Sequence, residues 1–144
     1  MSFQWLQMRI SEEKDRRHRE ATVRARMPRA MDELEEQIWI CVESYQKAFG
    51  AEACSVVRED AVLHIVASTE TKDGWEQQGR VEVSIDLELP GFRVLRGGEP
   101  LMIELGMLPG DRVSYRDRAA DQYLNLEDLT KRILDRAFFP RLKD

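Results

Sequence analysis

The chain reads as an α+β protein: a long N-terminal helical region, an antiparallel β-sheet of about four to six strands, and a C-terminal helix packed on the sheet as a second layer. Three observations lead there. Apolar residues between Met27 and Gly50 recur in alternating steps of four and three; beyond Gly50 the period falls to two; and a capped amphipathic stretch follows Asn125.

In the first element, Met27, Met31, Leu34, Ile38, Cys41, Tyr45 and Ala48 fall on one side of a helix. Val42 and Phe49 widen that stripe towards the face of a helix packed on a globular core. Glu33, Glu36, Glu43 and Lys47 take the opposite face, the last two at the favourable (i, i+4) spacing. Gly50 stands where a left-handed residue ends a helix.

Upstream, residues 1–10 include Phe3, Trp5, Leu6, Met8 and Ile10, a high apolar load for a chain end. Such an end is expected to dock, on its own core or on a second copy. Ser11 suits an N-cap, and from there to Glu20 no residue is apolar. A helix without an apolar face needs support along its surface. Glu12–Arg16, Glu13–Arg17, Asp15–Arg19 and Glu20–Arg24 supply it as (i, i+4) pairs, each worth about 0.2–0.5 kcal/mol in an isolated helix. Pro28 disfavours helical geometry at Met27 and predicts a break there. The organisation expected is an apolar segment with a charged helical arm over 1–27, then a single α+β domain over 28–144.

Cys54–Arg58 and Ala61–Ser68 read as strands around a turn at Glu59-Asp60, the second apolar on both faces as an interior strand is. Thr69–Gly79 reads as a polar loop with its tip at Asp73-Gly74. Arg80–Leu89 alternates most cleanly: Val81, Val83, Ile85, Leu87 and Leu89 against Glu82, Ser84, Asp86 and Glu88. One face meets the core and the other meets water. Pro90-Gly91 turns the chain, and Phe92–Arg96, Leu101–Leu105 and Val113–Tyr115 are shorter strands. In the last element Asn125 caps, Glu127 and Asp128 occupy the first turn, and Leu126, Leu129, Ile133, Leu134, Ala137 and Phe138 form an apolar face. Both helices are expected on the sheet's apolar side.

A chain of 144 residues buries a core without staples, and Cys41 and Cys54 read as buried free thiols. The first twenty residues hold no apolar leader, and no run approaches the ~18 apolar residues of a membrane span, so a soluble cytoplasmic protein without membrane insertion is expected. The net charge of −5 argues against general affinity for nucleic acid. That charge is unevenly spread, with seven Lys or Arg between Lys14 and Arg29 against only Asp15 and Glu20.

No catalytic constellation emerges. His18 lies in the charged ladder, and His64 alternates with Val62 and Val66 as an interior or edge histidine does. A Cys54–His64 couple lacks the positive surroundings that a reactive thiol needs. Glu82, Asp86 and Glu88 share the wet face of one strand. Nucleophile elbow, phosphate loop and dinucleotide fingerprint are all missing from the sequence, and no cofactor or metal is expected. Leu105-Gly-Met-Leu-Pro-Gly-Asp-Arg-Val113 resembles the LG-x-x-PGD-x-V turn of AbrB-type swapped-hairpin transition-state regulators, which bind DNA as dimers. The resemblance covers nine residues. The family's basic strand and proline-started helix are missing upstream, and Pro100 sits too close to Leu105, so the segment is read as turn chemistry. Trp75, on the polar loop, either folds back over the sheet edge or is offered to a partner.

The function expected is therefore a non-enzymatic protein-interaction module, a homodimeric adaptor or chaperone-like binder. Its surface would include Phe3, Trp5, Leu6, Ile10, Met27, Met31 and Trp75, because the N-terminal region carries more apolar surface than one small sheet needs. One alternative is a nucleic-acid or anionic-surface binder using the basic arm 14–29 through Arg16, Arg17, Arg19, Arg24 and Arg26, although that arm has no interleaved aromatics. Another is a small-ligand binder or enzyme with a cleft near His64 and Trp75.

Overall fold

In the computed structural model, which describes residues 3–141, Gln4–Phe49 form one helix, α1, of 46 residues and about 69 Å. A 3₁₀ turn at Ala51–Ala53 leads into β1 (Cys54–Glu59), β2 (Val62–Thr71), β3 (Gly74–Asp86), β4 (Gly91–Arg96), β5 (Glu99–Leu108), β6 (Arg112–Asp117) and β7 (Gln122–Leu124). Helix α2 (Leu126–Phe138) follows. The strands make one antiparallel sheet in chain order, so each connection is a hairpin. This is the α+β architecture the periodicities imply, with seven strands where about four to six were expected.

Both helices cover the same side of the sheet. α1 contacts β1 and β5, while α2 contacts β3 and β4. Between the layers lie Leu63, Ile65, Val81, Val83, Phe92, Val94 and Ile103 from the strands. Met27, Met31, Leu34 and Ile38 from α1 and Leu129 and Ile133 from α2 meet them, all at 0 or 1% exposure. Gly79 lets α2 approach this closely, since a Cβ there would lie 2.6 Å from the Ala137 Cα. The opposite sheet face carries no helix among the described residues; it mixes Val57, His64, Val66 and Leu95 with the ion pairs Arg93–Asp86 and Arg116–Glu104.

Three local expectations are corrected. The helix does not break at residue 27: it runs through Pro28, which is exposed while Met27, Ala30 and Met31 on the next face are wholly buried. A proline inside a helix costs about 3 kcal/mol, but each large side chain that a continuous α1 lays on the sheet recovers about 1.5–3 kcal/mol. Packing overrides local propensity. Nor does Ser11 cap the helix; α1 begins at Gln4, seven residues earlier, and the Arg9–Glu12 pair straddles Ser11. Finally, Thr69–Gly79 is no loop, because β2 and β3 run on as a hairpin that turns only at Lys72-Asp73, with Gly74 already paired to Thr71. In the other direction, β3 stops at Asp86, so Leu87 is exposed. Leu105–Val113 forms the β5–β6 hairpin, with Asp111 at φ 57° in the turn. Among the described residues no helix is long and apolar enough to cross a membrane.

Candidate interaction surface

Helix α1 is half embedded and half free. Its first buried residue is Val23, and Arg24 next to it donates from Nε to the Leu87 carbonyl at 2.8 Å. From Phe3 to Thr22 no side chain is buried, so about 28 Å of helix stands clear of the sheet. Its tip exposes Phe3, Trp5, Leu6, Met8 and Ile10, at 54, 66, 40, 64 and 41% respectively. The alternative in which this end docks on its own core is thereby removed.

Behind the tip the arm holds its helix together with ion pairs. Glu13 accepts from both Arg16 and Arg17, and Arg16 also reaches Glu20 at 2.6 Å. The Arg16 guanidinium, then that of Arg17, hold the Glu13 carboxyl down at about 2. Glu13–Arg17 and Glu20–Arg24 form as the spacing predicts. Arg16 instead takes Glu13 and Glu20 rather than Glu12, which pairs with Arg9. Arg26 is drawn against the body, its Nη2 2.7 Å from Glu33. Among the described residues, Arg19 alone of the five arginines named for anion binding makes no ion pair.

Other named residues lie elsewhere. Met27 and Met31, expected on an interaction surface, are wholly buried and belong to the core, because the continuous helix turns them under the sheet. Trp75 packs back at the far end of α1, its ring 3.6 Å from where a Gly50 Cβ would be. It lines a cleft of about 670 Å³ with Tyr45, Phe49, Phe138 and Phe139. Gln78 fixes the floor, donating to the Tyr45 hydroxyl at 2.7 Å and the Phe138 carbonyl at 3.0 Å. His64 does not line this cleft; its Nδ1 lies 3.4 Å from Glu82 on the open sheet face. Cys54 faces the core opposite Ala67, so strand alternation holds it on the other side of the sheet from His64. Burial pushes the Cys54 thiol up to about 11, which leaves it protonated and unreactive near neutral pH.

Two further surface residues escaped the sequence reading. Trp39 and Ile40 are 36 and 56% exposed on the outer side of α1, among Asp32, Glu36 and Glu43. The signal was there: neither fits the apolar stripe, so a continuous helix must turn them outward. Comparisons with protein-family models, curated proteins and solved structures find no match.

Proposed function

We propose that this chain is a non-enzymatic interaction module, a homodimeric adaptor or chaperone-like binder that assembles through the free half of α1. The observation that carries this reading is the arm itself. Two helical turns at its tip present five large apolar side chains to water, beyond the reach of the chain's own core. Exposed apolar surface of this density on a rigid element is stabilised by a partner, and closed two-fold pairing is the commonest solution. The arginines support the reading less as an anion site, since most of their charge is shared with neighbouring carboxylates.

Sedimentation equilibrium on the full chain and on a Leu6→Glu/Ile10→Glu variant tests it. A dimer for the parent and a monomer for the variant are expected. A parent that stays monomeric at all concentrations removes the proposal.

The cleft beside Trp75 favours a second reading, a seat for an apolar or aromatic group. Aromatic fragments that bind there raise the melting temperature of the parent and not of a Trp75→Ala variant.

A further inference from the structure

The dimer reading leaves open what the arm lies against. Because α1 is continuous through Pro28, one line of solvent-facing residues, all exposed but the partly buried Glu35, can be followed from Leu6 to Trp39 in steps of three and four. On the arm that line runs Leu6, Ile10, Lys14, Arg17 and Ala21; it passes Arg24, whose Nε is held by the Leu87 carbonyl, and continues on the embedded half as Pro28, Asp32, Glu35 and Trp39. The two halves differ in chemistry. The arm end is apolar and then basic, the middle sets small Ala21 and Pro28 on either side of Arg24, and the embedded end is acidic and then aromatic.

We propose that the arm of one copy lies antiparallel along the embedded half of α1 of a second copy, and reciprocally. Resting on the dimer reading above, this register sets Ile10 opposite Trp39, Lys14 opposite Glu35, Arg17 opposite Asp32, and Ala21 opposite Pro28. A single two-fold axis near residues 24 and 25 makes each of these contacts twice, which closes the assembly.

Charge supports the choice of occupant. The first 29 residues hold eight Lys or Arg against four Asp or Glu. Since the whole chain carries −5, the remainder carries −9. A parallel pairing lays basic arm on basic arm, whereas the antiparallel one lays basic on acidic, which favours this orientation. Local geometry agrees. Asp32 and Glu35 both bond the one Arg58 guanidinium, at 2.7 and 2.8 Å, so the pair keeps net negative charge. The Arg17 side chain, 75% exposed, reaches Glu13 through Nε alone. Small Ala21 and Ala25 at the crossing let two helix axes approach.

Charge reversal with rescue tests the register. Arg17→Glu and Asp32→Arg are compared singly and together with the parent by sedimentation equilibrium, with circular dichroism showing that each folds. Each single change is expected to weaken dimerisation by about tenfold or more, and the double variant to recover to within about threefold of the parent. Lys14→Glu with Glu35→Lys repeats the test if either first variant misfolds. A parent dimer that ignores all these changes overturns the register while the dimer reading stands. Weakening without rescue also overturns it. A monomeric parent overturns both.

Discussion

The Asp117 carboxylate ends β6 at 4% exposure, and every partner it has donates to it. Arg132 of α2 gives a 2.6 Å bond, and the Ala119 and Ala120 amides give bonds of 3.1 and 3.2 Å. Replacing it by Ala leaves the Ala119 and Ala120 amides without that acceptor and the half-buried Arg132 guanidinium without its charged partner, Gln122 Oε1 remaining 3.0 Å from Nη2. Hydrogen bonds to charged groups are worth about 1.5–3 kcal/mol, so Asp117→Ala is expected to cost about 2–3 kcal/mol in urea unfolding. An unchanged midpoint would show that water satisfies Arg132 equally well. Glu13 illustrates a residue whose effect depends on pH. Its folded-state pKa of about 2 lies below the ordinary 4.5, so its contribution is complete above the unfolded value and is lost as pH falls through the folded one. Arm helicity, followed at 222 nm, therefore declines between about pH 4.5 and 2, and Glu13→Gln, helically weaker at neutral pH, removes that part of the decline. Nothing in the sequence marked Asp117, because its partners come from α2 and the turn that follows it. Glu13 was legible, because helical spacing alone brings Arg17 to it.

At the scale of elements, what the sequence pattern showed and what it hid divide by whether packing or local chemistry decides. The alternation of Val81, Val83 and Ile85 and the cap of α2, where the Asn125 side chain accepts from the Asp128 amide at 2.7 Å, were readable because side-chain pattern produces them. The outer half of the β2–β3 hairpin was not. It extends beyond the sheet's apolar face and is held by backbone pairing from Ser68–Gln77 to Thr71–Gly74, which leaves no hydrophobic alternation to see. Three-residue β7 failed for a related reason, since Gln122 and Tyr123 are exposed. Pro28 misled most. A break there also cuts the line of residues from Leu6 to Trp39 that joins arm to body, which a continuous helix makes visible. If packing does force the helix through an unfavourable residue, then Pro28→Ala restores the amide that Arg24's carbonyl lacks. That change is expected to stabilise the chain by about 1–3 kcal/mol. A lower melting temperature would mean that the proline geometry is required for the way α1 meets the sheet.

Across the whole molecule, stability and assembly are carried by different stretches of chain. Among the described residues, every buried apolar side chain lies at Val23 or beyond, while the exposed apolar tip and the ion-paired free stretch of helix through Thr22 lie before it. The arm therefore contributes to stability only through what it binds. Any interaction made by the native state and absent from the unfolded state raises the melting temperature in proportion to the logarithm of partner concentration. For a self-associating chain the partner is the chain itself. Raising the protein concentration a hundredfold is expected to raise the parent's melting temperature measurably, since a hundredfold of mass action is worth about 2.7 kcal/mol per dimer, or about 1.4 kcal/mol per chain. A variant lacking residues 1–22 keeps the whole core, including all of the sheet and α2, and is expected to melt cooperatively at one temperature whatever its concentration. A truncated chain that does not fold would show instead that the arm supports the body of the same molecule. One whose melting still depends on concentration would move the interface to the Trp39–Ile40 side of α1 or to the open sheet face.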